Sequence, residues 1–437
     1  MTAFLAGSAV RDITPEKPLF LFGYPHVQRV SEGVHDPLLS SALYMSDGVQ
    51  SALFSANDII FVPQDVARKA RRRIADATGV SEPSILISAT HTHSGPVTVS
   101  YVSNMLDPAV PRPDLDYLSL LEERIVESCV AAVRCAKAAE AAFCVAQVRG
   151  TGTNRHDPAG PADPETPVLL VRSVETGESI ACMAVHAMHP TVLHEDSRLV
   201  SGDFTGLARQ HILDALGAQT AFLLHNGASG NQSPRHVTRG NTFDEAQRLG
   251  RILADGIIGA AAGANFTADV PIQSVQAIIR DLTRREFPSD AEAMRGLEEA
   301  KARLDGLCAS GAPRPEVRTA ECDLFGAEET VALSRAADDG VLDRIVRKIQ
   351  HAEIQAFRIG PWRYVGWLGE YFVEYALELR SKAPSTYLIS MANGELQGYI
   401  TTEEAARRKT YESGNALFPP SLGQRMLDET LTILARL

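Results

Sequence analysis

Five of the chain's 12 histidines fall into two tight groups. Ser84-Ile-Leu-Ile-Ser-Ala is an apolar run that ends in Thr90-His91-Thr92-His93 and turns at once through Ser94-Gly95-Pro96. Histidines two apart on a strand point to the same side. Both imidazoles can then address one metal ion, or one can bind metal while the other holds substrate. The second group, His186, His189 and His194, follows another apolar run, Ile180 to Val185. A lone His-x-His is more often incidental than functional, but two groups placed at strand ends favour a metal site over scattered core histidines. A third element is the glycine-rich turn from Leu224 to His236, which can bring backbone N–H groups and Ser233 to a ligand. Its spacing is not that of a phosphate-binding loop, and taken by itself it is an ordinary turn. The chemistry these residues can do together is metal-assisted hydrolysis, in which the ion activates water and polarises a carbonyl.

The elements that must carry these groups are read from periodicity. Apolar or β-branched runs at Ser51–Ser55, Ser84–Ser88, Val168–Val171, Ile180–Val185, Thr220–Leu224 and Ala356–Ile359 alternate with helical stretches, which predicts an α/β fold with a mixed sheet flanked by helices. Gln64 to Ala77 is spaced as the crossover helix of a βαβ unit between the first two runs. Gly206–Leu216 and Asp244–Ala262 read as further helices. From about Asp281 to Ile349 no strand-like run occurs, and Gly311-Ala-Pro-Arg-Pro has the composition of a turn between two helices. We read this stretch as a helical hairpin inserted into the sheet fold at 281–349 and overhanging the site, within a single catalytic domain spanning 1–437.

Composition narrows the partners. A net charge of −12 over 437 residues leaves no basic surface for nucleic acid. The six cysteines lack paired spacing and read as small core residues rather than a disulfide framework. No segment reaches the apolar length of a membrane span, and the N-terminus lacks a positively charged leader and a continuous apolar core, so a cytoplasmic protein without stable membrane insertion is expected. Homo-oligomerisation stays open.

In chain order the motifs resemble the neutral ceramidase family, zinc-dependent hydrolases that cleave the amide of N-acylsphingosine. Ala6-Gly-Ser-Ala-Val-Arg-Asp-Ile-Thr-Pro is similar to the family's first strand, and Gly33-Val-His-Asp-Pro-Leu to the turn after it. Ala89-Thr-His-Thr-His-Ser-Gly-Pro resembles its most specific motif, which implies that His91 binds Zn2+ and that His93 lies against the substrate. Asn154-Arg155 resembles a pair whose arginine faces the cleft. The family places its second zinc histidine fourteen positions before the aspartate of a segment resembling Val200-Ser-Gly-Asp203, which implies His189 rather than His186; His186 is then a core or supporting histidine. Gly366-Trp-Leu-Gly-Glu370 and Gly398-Tyr399-Ile-Thr-Thr resemble the segments that supply a carboxylate and a tyrosine ligand, and Tyr411 stands where the family has a tyrosine that stabilises the oxyanion. The family's Gly-Asp-Val-Ser-Pro-Asn loop appears here as Gly230-Asn-Gln-Ser-Pro-Arg235, which keeps Ser233 and replaces the acidic residue with Asn231.

The resemblance thus implies a zinc site of His91, His189, Glu370 and Tyr399, with His93, Arg155 and Tyr411 as oxyanion donors and Ser233 as a nucleophile or substrate contact. The expected reaction is hydrolysis of a carboxamide in a small soluble molecule, an N-acyl amine or a lactam. Two other readings are an esterase or lactonase using the same water, and a non-catalytic metal-binding homologue in which Asn231 marks lost activity.

Overall fold

A computed structural model describes residues 4–349 and 351–437. Its larger sheet has eight strands, in the order 221–226, 179–186, 165–173, 137–147, 5–12, 39–46, 51–57 and 85–89. The middle of this sheet is antiparallel, and each edge is a parallel pair: Ser51–Asn57 with Ile85–Ala89, and Ser179–His186 with Ala221–Asn226. Parallel neighbours need a crossover helix. Gln64–Thr78 serves the first pair and Asp203–Leu216 the second. The first of these helices buries Val66, Ala67, Ala70 and Ile74 and stops at Gly79, whose φ of 78° closes the last turn in the left-handed region.

A second, four-stranded sheet, in the order 272–279, 352–359, 362–367 and 386–389, lies against the first. Phe54, Leu86, Leu169, Met183, Val185 and Leu223 from one sheet meet Phe357, Ile359, Trp362, Tyr364 and Ile389 from the other in a continuous apolar layer. Helices cover both outer faces, which accounts for the near-continuous burial of the parallel edge strands. The larger sheet curves enough for its two edges to approach, and Ser88 Oγ on one edge strand lies 2.7 Å from His225 Nδ1 on the other. As a result, loops leaving the carboxyl ends of several strands open into one region, a location that α/β proteins commonly use for ligands.

The segment without strands forms the two expected helices, Asp290–Ser310 and Arg314–Asp338, and a third that was not expected, Val341–Ile349, all inserted between the antiparallel partners 272–279 and 352–359. Ser289 and Glu292 form a reciprocal capping box at the start of the first, and Gly311 ends it with φ 67°. That helix buries Ala293 alone among its described residues and lies on the surface, whereas Arg314–Asp338 packs inward through Ala320, Gly326, Val331 and Leu333. Among the described residues no helix is long and apolar enough to cross a membrane.

Candidate metal centre and active site

The Ile85–Ala89 strand ends before the first histidine pair, and here the structure corrects the sequence reading. His91 and His93 are not alternating strand residues. Residue 91 adopts a left-handed conformation, φ 72°, with its N–H on the Ile59 carbonyl, and this kink turns its ring toward that of His93. Strain of this kind is uncommon for a residue with a Cβ and concentrates at functional sites. The two Nε2 atoms lie 3.4 Å apart, and His189, from the loop after Ser179–His186, joins them so that one nitrogen from each ring falls within 4.8 Å of the others.

Each ring is held from behind by a carbonyl. His91 Nδ1 donates to Ile60 O at 2.9 Å, His93 Nδ1 to Gly23 O at 3.1 Å, and His189 Nδ1 to Ser229 O at 2.7 Å and Gln232 O at 3.0 Å. A carbonyl can only accept, so these contacts put the proton on Nδ1 and leave a lone pair on every Nε2. Three buried lone pairs that face one another repel unless a cation sits among them, and a backbone carbonyl behind each ring is the usual support of a metal-binding histidine. Glu370 supplies the anion: its Oε2 is 3.1 Å from His91 Nε2 and 3.2 Å from His189 Nε2. Burial pushes this carboxyl up, but the two imidazoles outweigh it and hold it well below the usual carboxylate range. Burial lowers the His93 imidazole well below its ordinary value and His189 to about 4, so these two rings are neutral near pH 7, the state a metal ligand requires. The donor set therefore fits a divalent cation.

Tyr399 completes the end of the cleft. The short parallel pair Glu370–Tyr371 with Tyr399–Ile400 puts Glu370 and Tyr399, 29 positions apart in the chain, opposite each other in register. Burial raises the phenols of Tyr399 and Tyr411, so both stay protonated donors without a metal. Tyr411 opens the Tyr411–Asn415 helix, with its ring against Gly326 of the inserted helix, where a Cβ would lie 2.7 Å from Tyr411 Cδ2. Together with Phe22, Ile60, Phe61, Tyr101 and Glu329, the two tyrosines, His91, His93 and Glu370 line a cleft.

Arg155 and Ser233, both singled out in the sequence, lie outside this lining. Arg155 stacks behind the tyrosines, 5.2 Å from the Tyr399 ring and 5.9 Å from the Tyr411 ring, and its Nε pairs with Glu412 at 2.5 Å. Its guanidinium also donates to Gly230 O. Ser233 sits in a two-residue strand paired with Thr153–Asn154, and its hydroxyl accepts the Arg235 N–H at 3.2 Å, capping the Pro234–His236 turn. His186 is a core histidine: Thr151 Oγ1 is 3.0 Å from one ring nitrogen and Thr166 Oγ1 2.9 Å from the other. It is His189 that reaches the cluster.

The sequence reading missed Glu412, Asn231's role and Glu329. Glu412 is buried; burial pushes it up, but Arg155 outweighs this, with His156 at 2.6 Å, and holds it at about 2. Its place beside Tyr411, with His156 beside Arg155, was the available signal. Asn231 accepts the Val373 N–H at 3.0 Å and donates to Glu374 at 2.8 Å, a double role that the family's aspartate could not fill beside a carboxylate.

His186 allows a test of the core. Burial lowers it to about 4, so below pH 6.5 the unfolded chain takes up a proton that the folded chain refuses, and stability falls until about pH 4. His186→Asn is expected to destabilise the protein by about 1–3 kcal/mol at pH 7.5, with the gap to the parent narrowing as pH drops from 6.5 to 4. Denaturant melts across that range check it; a gap that stays constant contradicts it.

The model of the neutral/alkaline non-lysosomal ceramidase N-terminal family matches residues 4–227, just over half of the chain. The neutral ceramidase of Mycobacterium tuberculosis is 27% identical over 94% of this chain and 74% of that protein. That of Pseudomonas aeruginosa is 24% identical over 95% of this chain and 69% of its own length. The crystal structure of the Pseudomonas aeruginosa enzyme superposes with a TM-score of 0.76 at 20% identity, covering 100% of this chain and 75% of that one, and so shares its fold. With its described architecture and its matched first half, the chain belongs to the neutral/alkaline non-lysosomal ceramidase family.

Proposed function

We propose that this protein hydrolyses the carboxamide bond of an N-acyl amine by means of one divalent ion, zinc, held by His91, His189, Glu370 and Tyr399. The observation that carries the reading is the convergence of three carbonyl-tied imidazoles and one ionised carboxylate at the end of a buried cleft. A zinc ion bound there supplies a Lewis acid that polarises the amide carbonyl and activates water. Tyr411, protonated and facing the cleft, is suited to donate to the carbonyl oxygen as it gains charge. His93, neutral and fixed on Gly23, turns its Nε2 toward the same space, where it can accept a proton from the attacking water and return it to the departing amine. Arg155 lies behind the two tyrosines and acts through their placement.

The names of the relatives support ceramide as one substrate to assay, beside short N-acyl amines. The test gives the zinc-loaded protein N-acylsphingosine, short-chain N-acyl amines and the matching esters. Release of amine and carboxylate from an amide, lost on chelation and restored by Zn2+, is the expected result. Cleavage of esters alone, or of no compound, overturns the reading.

A further inference from the structure

The cleft holds one more polar group, for which amide hydrolysis has no use. Glu329 projects from the inserted helix Arg314–Asp338 into the cleft wall and is 5% exposed. Two amides from separate segments grip it: Asn104 Nδ2 donates to Oε1 at 3.4 Å, and Asn415 Nδ2 donates to Oε2. Asn415 is itself 7% exposed and lines the cleft, and its Oδ1 has no hydrogen-bond partner. The orphaned Asn415 Oδ1 thus stands beside the Glu329 carboxyl, whose oxygens accept from the two amides.

Among the described residues lining the cleft there is no lysine or arginine, while Asp107, Glu328 and Glu370 all act on Glu329. Glu328 is engaged by His26 Nε2 at 3.1 Å, and the nearby Arg285 gives its guanidinium to the carbonyls of Ala416 and Gly414. Burial, with these acidic neighbours, pushes the Glu329 carboxyl up to about 8. A buried carboxylate without a cation costs several kcal/mol, so near pH 7 Glu329 rests largely as the neutral acid, and a cation on its open side is what draws it into the ionised form. Here the open side of the pair faces the ligand space.

We infer that Glu329, with Asn104 and Asn415, forms a subsite for an ammonium group carried by the substrate away from its scissile amide, an inference that rests on the amide-hydrolase reading. An N–H3+ group has three donors and no acceptor, which matches the carboxylate and the orphaned Asn415 oxygen. The same wall disfavours substrates that place a carboxylate or phosphate there.

The test has a binding arm and a kinetic arm. In the first, n-butylammonium and n-butanol are titrated calorimetrically into the zinc-loaded protein and into its Glu329→Gln variant, which keeps the side chain's size and cannot ionise. The parent is expected to bind the ammonium at least about tenfold more tightly than the alcohol, and the variant to lose that preference. In the second, N-acyl amides bearing a remote ammonium are compared with neutral isosteres; for the ammonium compound KM is expected to rise about 30-fold in the variant, with kcat changed far less. Equal binding of the two probes by the parent, or an undiminished preference in the variant, overturns the inference. If no amide is cleaved, the hydrolase reading falls while the titration still decides the subsite. If amides are cleaved without charge preference, the subsite falls and the hydrolase reading stands.

Discussion

Glu370→Ala is expected to lower kcat/KM for amide hydrolysis by about 10³-fold or more, because losing the metal's charge stabilisation removes several kcal/mol from the transition state. Among the described residues Glu370 is the one carboxylate in contact with two of the clustered imidazoles, at 3.1 and 3.2 Å, so its removal leaves a divalent ion among ring nitrogens and a phenol. The metal content of the purified variant is expected to fall well below one equivalent. The fold should survive, since the three histidines remain tied to the backbone through Nδ1. Metal analysis, steady-state kinetics and far-ultraviolet circular dichroism on one preparation separate these effects. A folded variant that keeps its metal and its rate contradicts the assignment.

Tyr411→Phe isolates a different contribution. The phenylalanine ring keeps the packing against Gly326 and loses only the hydroxyl. Removing one donor to a developing oxyanion costs about 10²–10³-fold in kcat. The expected variant therefore has intact metal content, a nearly unchanged KM and a kcat reduced by that factor. If metal is lost together with rate, the hydroxyl serves the ion rather than the substrate; if kcat is unchanged, the hydroxyl is not aimed at the carbonyl oxygen. Because Arg155 stacks on both tyrosine rings and bridges to Glu412, Arg155→Ala should disturb the two phenols together, whereas Tyr411→Phe disturbs one.

The parts of this fold that could be read from the residues are those written in local periodicity. The Ser51–Asn57, Gln64–Thr78, Ile85–Ala89 unit and the helices at 203–216 and 243–261 follow from apolar spacing, because each buries one face on a sheet. The lack of strand-like runs and the turn composition of Gly311-Ala-Pro-Arg-Pro marked the inserted helices. Side-chain direction was less accessible. Strand alternation gives His91 and His93 a common side, but the strand stops at Ala89 and a left-handed His91 turns the rings together by a different route. Periodicity carries no information on such a kink.

Long-range convergence was legible where a motif stood for it. His189 and Glu370 are 181 positions apart and meet at 3.2 Å, and nothing in the local pattern of either segment predicts the other. The family resemblance supplied that pairing, together with Tyr399 and Tyr411. It had nothing to offer for Glu329 and Glu412, two acidic residues among 54, whose burial depends on the seating of the inserted helix and of the Tyr411–Asn415 turn. Arg155 illustrates the limit from the other side: the motif marked the residue, while its stacking behind the tyrosines is set by Glu412 and Gly230, which lie 257 and 75 positions further along the chain.

The central claim is that one divalent ion at this cluster makes the protein an amide hydrolase. Crystals of the active, as-purified protein, measured on both sides of the zinc absorption edge, test it most directly. The account predicts a single anomalous peak bonded to His91 Nε2, His189 Nε2 and a Glu370 carboxylate oxygen, with the Tyr399 oxygen completing the protein's ligands. Active crystals with no peak at that position, or with the ion held by other residues, would contradict it.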